Sequence, residues 1–295
     1  MATFSQWVQG ARPRTLPAAI APVIVGTGAA YAIGQTVWGY ALLALVVSVS
    51  LQVGVNYAND YSDGIRGTDA ERVGPVRLVG QDLANPSDVK LAAFVCFFLA
   101  GLFGLALVAL SQAWLMLLVG ALCIVAAWYY TGGSRPYGYR GLGELSVFVF
   151  FGLVATLGTT YTQAGEVTWV ALFGAVGVGA LAMAILVANN LRDIPTDEAG
   201  GKRTLAVRLG DSRTRLFYIA LVVVSLLAVV ACAVRYPTAL LALPAYAMLW
   251  PTLRALRSGA AGRDLVPVLA RTGQFQLVWS LLLGIGIGLA HAFGW

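Results

Sequence analysis

Long runs of apolar residues alternate with short polar stretches along the whole chain. Nine of these runs reach the 17–25 residues that an α-helix needs, at about 1.5 Å per residue, to cross a hydrocarbon layer. They cover residues 16–34, 37–57, 91–110, 113–130, 144–162, 168–190, 216–234, 237–253 and 275–293. The third and fourth are divided only by Ser111-Gln112, and the eighth is interrupted by Pro244. The pattern predicts an all-α integral membrane protein of nine transmembrane helices, forming a single membrane domain over residues 1–295.

The cations give the expected orientation. Of 19 Lys and Arg residues, all but Arg235 fall in the N-terminal segment or in alternate loops, those at 58–90, 131–143, 191–215 and 254–274. The positive-inside rule then puts the N-terminus in the cytoplasm, and nine spans put the C-terminus outside. A mean hydropathy of +0.79 excludes an ordinary soluble domain. The net charge of +6 is met by anionic lipid headgroups and an anionic substrate, so no nucleic acid is implied. Cys96, Cys123 and Cys232 all lie inside apolar runs and read as core residues. The polar start, Met1–Pro13, and the lack of a small-residue exit after the first run argue against a cleavable leader.

Two polar clusters stand out at the edges of apolar runs. Asn59-Asp60-Tyr61-Ser62-Asp63 follows the second, and Asn189-Asn190-Leu191-Arg192-Asp193, with Asp197, closes the sixth. Each places an Asp four residues after an Asn, on one helix face. Carboxylates at a helix C-terminus oppose the macrodipole unless a cation joins them. A charge costs about 2.5–3.5 kcal/mol at mid-membrane on insertion scales, and less at the interface. Asn56 adds polarity to the same helix end. The clusters lie four spans apart, and each is trailed by a basic loop, Gly74-Pro75-Val76-Arg77-Leu78 and Thr204-Leu205-Ala206-Val207-Arg208-Leu209. A four-span shift preserves orientation, so the pair reads as a parallel pseudo-repeat whose halves face a central cavity. Oxygen donors without His or Cys favour Mg²⁺ completed by substrate phosphate. Lys202 and Arg203 in Gly200-Gly201-Lys202-Arg203 suit a departing diphosphate. Arg12 and Arg14 serve either as topology signals or to hold an acidic substrate. Trp128-Tyr129-Tyr130 serves either as an interfacial belt or to shield a developing cation.

Together Ala11-Arg12-Pro13-Arg14-Thr15-Leu16-Pro17, Asn59-Asp60-Tyr61-Ser62-Asp63, Tyr130-Thr131-Gly132-Gly133, Gly141-Leu142-Gly143-Glu144 and Gly201-Lys202-Arg203-Thr204-Leu205 carry a resemblance. In that order they resemble the UbiA-type intramembrane prenyltransferases, over essentially the whole chain, and within them the branch acting on 1,4-dihydroxy-2-naphthoate. The family's second acid motif falls on Asn189, Asp193 and Asp197. Its first falls on Asn59, Asp63 and Gly67, leaving Asp69 as candidate for the missing acid. Its Tyr-x3-Lys motif begins at Tyr130 but meets Ser134, leaving Arg135 or Arg140 to supply the cation.

The resemblance implies a helical ring around a cavity in a bacterial cell membrane, with the active site on the cytoplasmic side. It implies Mg²⁺-dependent transfer of a polyprenyl group from its diphosphate to the naphthoate, with decarboxylation. Asn59, Asp63, Asp193 and Asp197 are the expected metal ligands, Asp60 a ligand or partner to them, and Tyr130 the aromatic facing the allylic cation. Asn56, Asn189, Asn190, Arg66, Arg135, Arg140, Arg192, Lys202 and Arg203 are the expected substrate contacts, with Arg72 and Arg77 candidates for the acceptor carboxylate. A 4-hydroxybenzoate acceptor is the nearest alternative. A CDP-alcohol phosphotransferase matches Asp60-x2-Asp63-Gly64 but has one such motif, where two occur here. A secondary transporter would collect its polar groups near mid-membrane.

Overall fold

In the computed structural model, residues 2–67 and 76–294 are described, and among them every regular element is helical. A short helix α1 (Phe4–Gly10) opens with a capping box between Thr3 and Gln6. It bends by 49° into α2 (Pro17–Ala32) through the turn Pro13–Thr15. There follow α3 (Trp38–Ile65), α4 (Pro86–Ser111), α5 (Leu115–Tyr129), α6 (Gly143–Val147), α7 (Ala155–Ala164), α8 (Trp169–Ala199), α9 (Leu205–Arg235), α10 (Trp250–Arg257) and α11 (Val266–Ala292). A π-helical stretch, Phe148–Val154, joins α6 to α7 into one span. A 3₁₀ stretch, Pro237–Leu249, leads into α10; Pro244 within it has no N–H to donate to an α-ladder.

Seven of these helical spans are long and apolar enough to cross a membrane, and the bent α1–α2 pair makes an eighth. The fourth expected span falls on α5, an apolar helix of 15 residues, below that length. The spans expected to end at residues 57 and 190 continue as helix to Ile65 and Ala199. Hydropathy marks where hydrocarbon ends, whereas the helices stop later, near glycines in the left-handed region, Gly67 (φ +69°) and Gly201 (φ +72°). Both acid clusters therefore sit in true helical turns.

Helix α8 is the most buried of the spans. With α9, α11 and the 3₁₀ stretch it encloses one apolar core around Trp279, Phe275 and Tyr218. A second core joins α3 and α4 to Leu78 and Val79. Small residues bring helices into backbone contact, as is usual in bilayers. A Cβ on Gly28 would lie 2.5 Å from the Gly284 carbonyl oxygen, and one on Gly284 would lie 2.9 Å from Ile24 Cγ2. The α2–α11 crossing thus has no room on either side.

Gly28→Val should force these helices apart, at about 1–3 kcal/mol for overpacking. The expected outcome is a lower detergent melting temperature than wild type, read by thermal unfolding on size-exclusion chromatography. An unchanged melting temperature would count against the close crossing.

Candidate active site

Helices α3 and α8 bring their polar ends to one cavity of about 580 Å³. Asn59 and Asn189, the first residues of the two motifs, both line it, as do Asn56 and Tyr130. Most of its wall is aliphatic or aromatic, from α2–α5, the span containing the π-helical stretch, and α8. The carboxylates of Asp63 and Asp193 stand one helical turn beyond the asparagines. Asp60, Asp63, Asp193 and Asp197 are each at most 4% exposed, so their charges must be met by protein groups.

Asp63 receives the Tyr139 hydroxyl and lies 3.3 Å from Lys202 Nζ. That ion pair joins the end of α3 to the loop after α8. Lys202 also stands over the Tyr139 ring, 4.6 Å from its centroid, and Arg66 lies 5.4 Å from the same centroid. Arg66 further donates to the carbonyls of Thr131 and Gly133, and the Thr131 hydroxyl donates to Asn59 Oδ1 at 2.7 Å. Arg203 donates its amide to the Tyr139 carbonyl at 2.9 Å, and Arg208 reaches the Arg140 carbonyl at 2.9 Å. The segment from Tyr130 to Arg140 is thereby tied to both motifs.

The second motif is held differently. Arg192 grips both Asp193 oxygens at 2.6 and 2.7 Å and donates to Asn189 Oδ1 at 2.9 Å. Asn190 faces away from this group and donates to Glu144 Oε1 at 2.9 Å. The Asp197 carbonyl accepts the Lys202 amide at 2.8 Å, fixing the turn that delivers the lysine.

Other expected residues lie elsewhere. Asp60 spends both oxygens on backbone amides, those of Leu78 at 2.8 Å and Val79 at 3.1 Å. It anchors the chain that returns from the first motif. Arg77, beside that anchor, is buried, and its amide donates to Gln81. The side chains of Arg135, Arg140 and Arg203 are exposed. Asp69 and Arg72 lie outside the described residues. Tyr130 packs edge-on against Tyr137, whose hydroxyl donates to the Ala126 carbonyl. Burial pushes the Tyr137 phenol up, with its Ser146 hydrogen bond pulling the other way, so it remains a donor at neutral pH.

Sequence reasoning passes over Tyr139, Thr131 and Gln52. Only Gln52 carries a readable signal, a polar residue one turn before Asn56 inside an apolar run. Among the described residues no group of three or more His, Cys, Asp or Glu side chains could hold a metal ion. The donor set still suits a hard cation, since Mg²⁺ takes one or two carboxylates and completes its shell with water and phosphate. Two amide–carboxylate pairs on facing helices have that chemistry.

An apolar chamber within a helical membrane bundle, closed at one end by paired acids and cations, is built for an amphiphile with an anionic head. The UbiA prenyltransferase family model matches residues 19–266, and the chain belongs to that family. It is therefore a multi-pass membrane prenyltransferase. It is 57% identical over 294 residues to the 1,4-dihydroxy-2-naphthoate octaprenyltransferase of Mycobacterium tuberculosis, covering 100% of this chain and 99% of that one. It is 42% identical over 226 residues to the enzyme of the same name from Escherichia coli, covering 75% of this chain and 73% of that one. The fold is shared with a UbiA homolog from Archaeoglobus fulgidus solved with GPP and Mg²⁺, at TM-score 0.70 and 14% identity, over 97% of this chain and 99% of that one.

The Asp60 anchor is testable by limited proteolysis. Hydrogen bonds to a charged group contribute about 1.5–3 kcal/mol. Asp60→Ala should therefore speed trypsin cleavage after Arg77 by roughly tenfold or more, if cleavage follows local opening. Asp60→Asn keeps one acceptor oxygen and should fall between. Equal rates in all three proteins would show that these bonds do not hold the segment.

Proposed function

We propose that the chain transfers a polyprenyl group from polyprenyl diphosphate to 1,4-dihydroxy-2-naphthoate, with loss of the ring carboxylate, giving a demethylmenaquinol, the reduced form that a separate two-electron oxidation converts to the demethylmenaquinone. The observation that carries this reading is the extensive likeness to relatives named for that acceptor, joined to a cavity that meets both acid motifs at its polar end. We infer that the chain works as one membrane domain, with the motifs at 59–69 and 189–197 as a pseudo-repeat. The distribution of cations supports a bacterial cell membrane with this end facing the cytoplasm.

In this reading Asn59, Asp63, Asp193 and Asp197 would hold Mg²⁺, which supplies positive charge to the diphosphate when bound. Lys202 and Arg66, already gathered around Tyr139, neutralise the leaving group as its negative charge grows. Their value is greatest in the transition state, because the charge on the bridging oxygen develops only as the C–O bond breaks. Arg192 orients Asp193 and Asn189, and Asn190 ties α8 to Glu144. The aliphatic walls exclude water from the allylic cation, and the Tyr130 ring lends it a π face.

The C–O bond of the donor breaks with its electron pair leaving on diphosphate. A bond forms between the allylic carbon and the ring carbon bearing the carboxylate. The bond to that carboxylate then breaks, CO₂ departs, and its electron pair restores the aromatic ring. No external oxidant, reductant or net proton is needed.

Membranes carrying the protein, given a polyprenyl diphosphate and the naphthoate, should show Mg²⁺-dependent prenylation. Asp63→Ala and Asp193→Ala should each lower it by about 100-fold or more, as for loss of a transition-state electrostatic contact. Full Mg²⁺-dependent turnover in either variant would sink the proposed clamp. Transfer to 4-hydroxybenzoate alone would move the acceptor to the alternative branch.

A further inference from the structure

Helix α10 carries its charge on one face. Thr252 and Leu256 are buried against the core, whereas Trp250, Arg254, Arg257 and Ser258 are exposed. Trp250, Leu253, Arg254 and Arg257 follow one another at intervals of three, one and three, so they form a single helical stripe. With Ser258 they line a cleft of about 400 Å³ that shares no residue with the chamber between α3 and α8. The stripe is graded along its length. Trp250, 69% exposed, and Leu253 stand on the side of the apolar span, and the two arginines close its end. From Trp250 to Arg257 the helix rises about 10 Å, enough to pass from the edge of the hydrocarbon into the headgroup layer.

The usual duties of arginines at such a place are discharged by another residue. The last carbonyls of α10 carry the negative end of the helix dipole. Arg215, near the start of α9, meets them, donating to the Leu256 carbonyl at 2.9 Å and the Ala260 carbonyl at 2.7 Å. This contact also sets the end of α10 on the same side of the bundle as the acid motifs. The Ser258 amide caps the Arg254 carbonyl at 2.9 Å, and the Ala260 amide caps that of Ala255 at 3.0 Å. Asp211 is held by the Arg215 guanidinium at 2.6 and 2.8 Å. Arg254 and Arg257 take no part in this. Among the described residues neither has a hydrogen-bond, ion-pair or ring partner. The segment 254–274 holds four arginines and one acid, Asp264, so its charge is not balanced locally.

The positive-inside pattern accounts for the sign of these charges and the side they lie on, but it asks for no cleft. A cleft with two guanidiniums above a tryptophan and a leucine fits an amphiphile. The planar guanidinium fork matches the free oxygens of a phosphodiester, and the apolar pair suits the chain beneath it. We propose that this stripe of α10 binds an anionic glycerophospholipid, with Arg254 and Arg257 on the phosphodiester and Trp250 and Leu253 seating the upper part of an acyl chain. The site goes beyond prenyl transfer and holds for any acceptor. A lipid there covers the exposed face of α10 and braces the end of the segment that begins at Pro237. Because it binds the folded protein, it stabilises the fold by mass action.

The test uses the full chain, delipidated in a neutral detergent and titrated with phosphatidylglycerol or phosphatidylcholine. Bound lipid is read by native mass spectrometry and stability by melting temperature. Wild type should favour phosphatidylglycerol by about tenfold or more, at about fivefold for each basic residue near an anionic headgroup. It should also melt higher with that lipid. Arg254→Gln with Arg257→Gln should lose both the preference and the melting shift. Arg254→Lys with Arg257→Lys keeps the charge without the fork and should fall between. Trp250→Ala should weaken both lipids and keep the preference. Lys90→Gln with Arg213→Gln removes equal charge from exposed positions elsewhere and should change neither readout. Equal losses in the two double Gln variants would reduce the effect to surface charge at large and overturn the site. Wild-type protein that binds the two lipids equally overturns it as well. Displacement of the lipid by an equal concentration of inorganic phosphate would assign the cleft to a soluble anion instead.

Discussion

Buried negative charge is the constraint around which the polar end of the bundle is arranged. Four aspartates lie almost wholly out of solvent at the ends of α3 and α8, where the helix dipole adds to their cost. Desolvating a carboxylate is tolerable only with strong donors, and three of the four show different ones. Asp60 has two backbone amides, Asp63 has Lys202 and the Tyr139 hydroxyl, and Asp193 has a two-pronged Arg192. The first two solutions recruit other pieces of chain, whereas Arg192 is the neighbour of Asp193 on α8 itself. The return from the first motif, the loop after α8 and the segment between α5 and α6 are all fastened because an acid required a partner.

The division of labour among these acids follows from their donors. Two amides fixed by a turn make a permanent clasp, since neither can move without unfolding the turn. A lysine on four methylenes is a mobile counter-ion, able to follow charge from a carboxylate to a phosphate. Asp60 therefore reads as architecture and Asp63 as chemistry, although they are three residues apart on one helix.

The apolar periodicity was enough to expect the helical elements and both polar clusters, because burial in hydrocarbon acts on every residue of a run. It could not show the ends of α3 and α8, since turns beyond the hydrocarbon are set by local bonds and by Gly67 and Gly201. Asp60 and Asp63 look alike in the sequence. What separates them is a meeting with Leu78 and Val79 on one side, and with Tyr139 and Lys202 on the other. Such meetings depend on how helices cross, through contacts such as Gly28 on Gly284, which no hydropathy window reports. Arg135 and Arg140 illustrate the same limit, because the segment that brings Tyr139 inward leaves both guanidiniums outside.

The 3₁₀ stretch ahead of α10 changes how far the chain travels per residue. An α-helix of its 13 residues would rise only about 20 Å, whereas 3₁₀ geometry at about 2.0 Å per residue gives roughly 26 Å. With the first turn of α10 the segment reaches about 30 Å, the depth of a bilayer's hydrocarbon. Stretching the coil lets this segment cover the depth spanned by its longer neighbours in fewer residues than an α-helix would use. The weaker hydrogen-bond geometry of those turns is the cost, borne where the 3₁₀ face packs against α9 and α11.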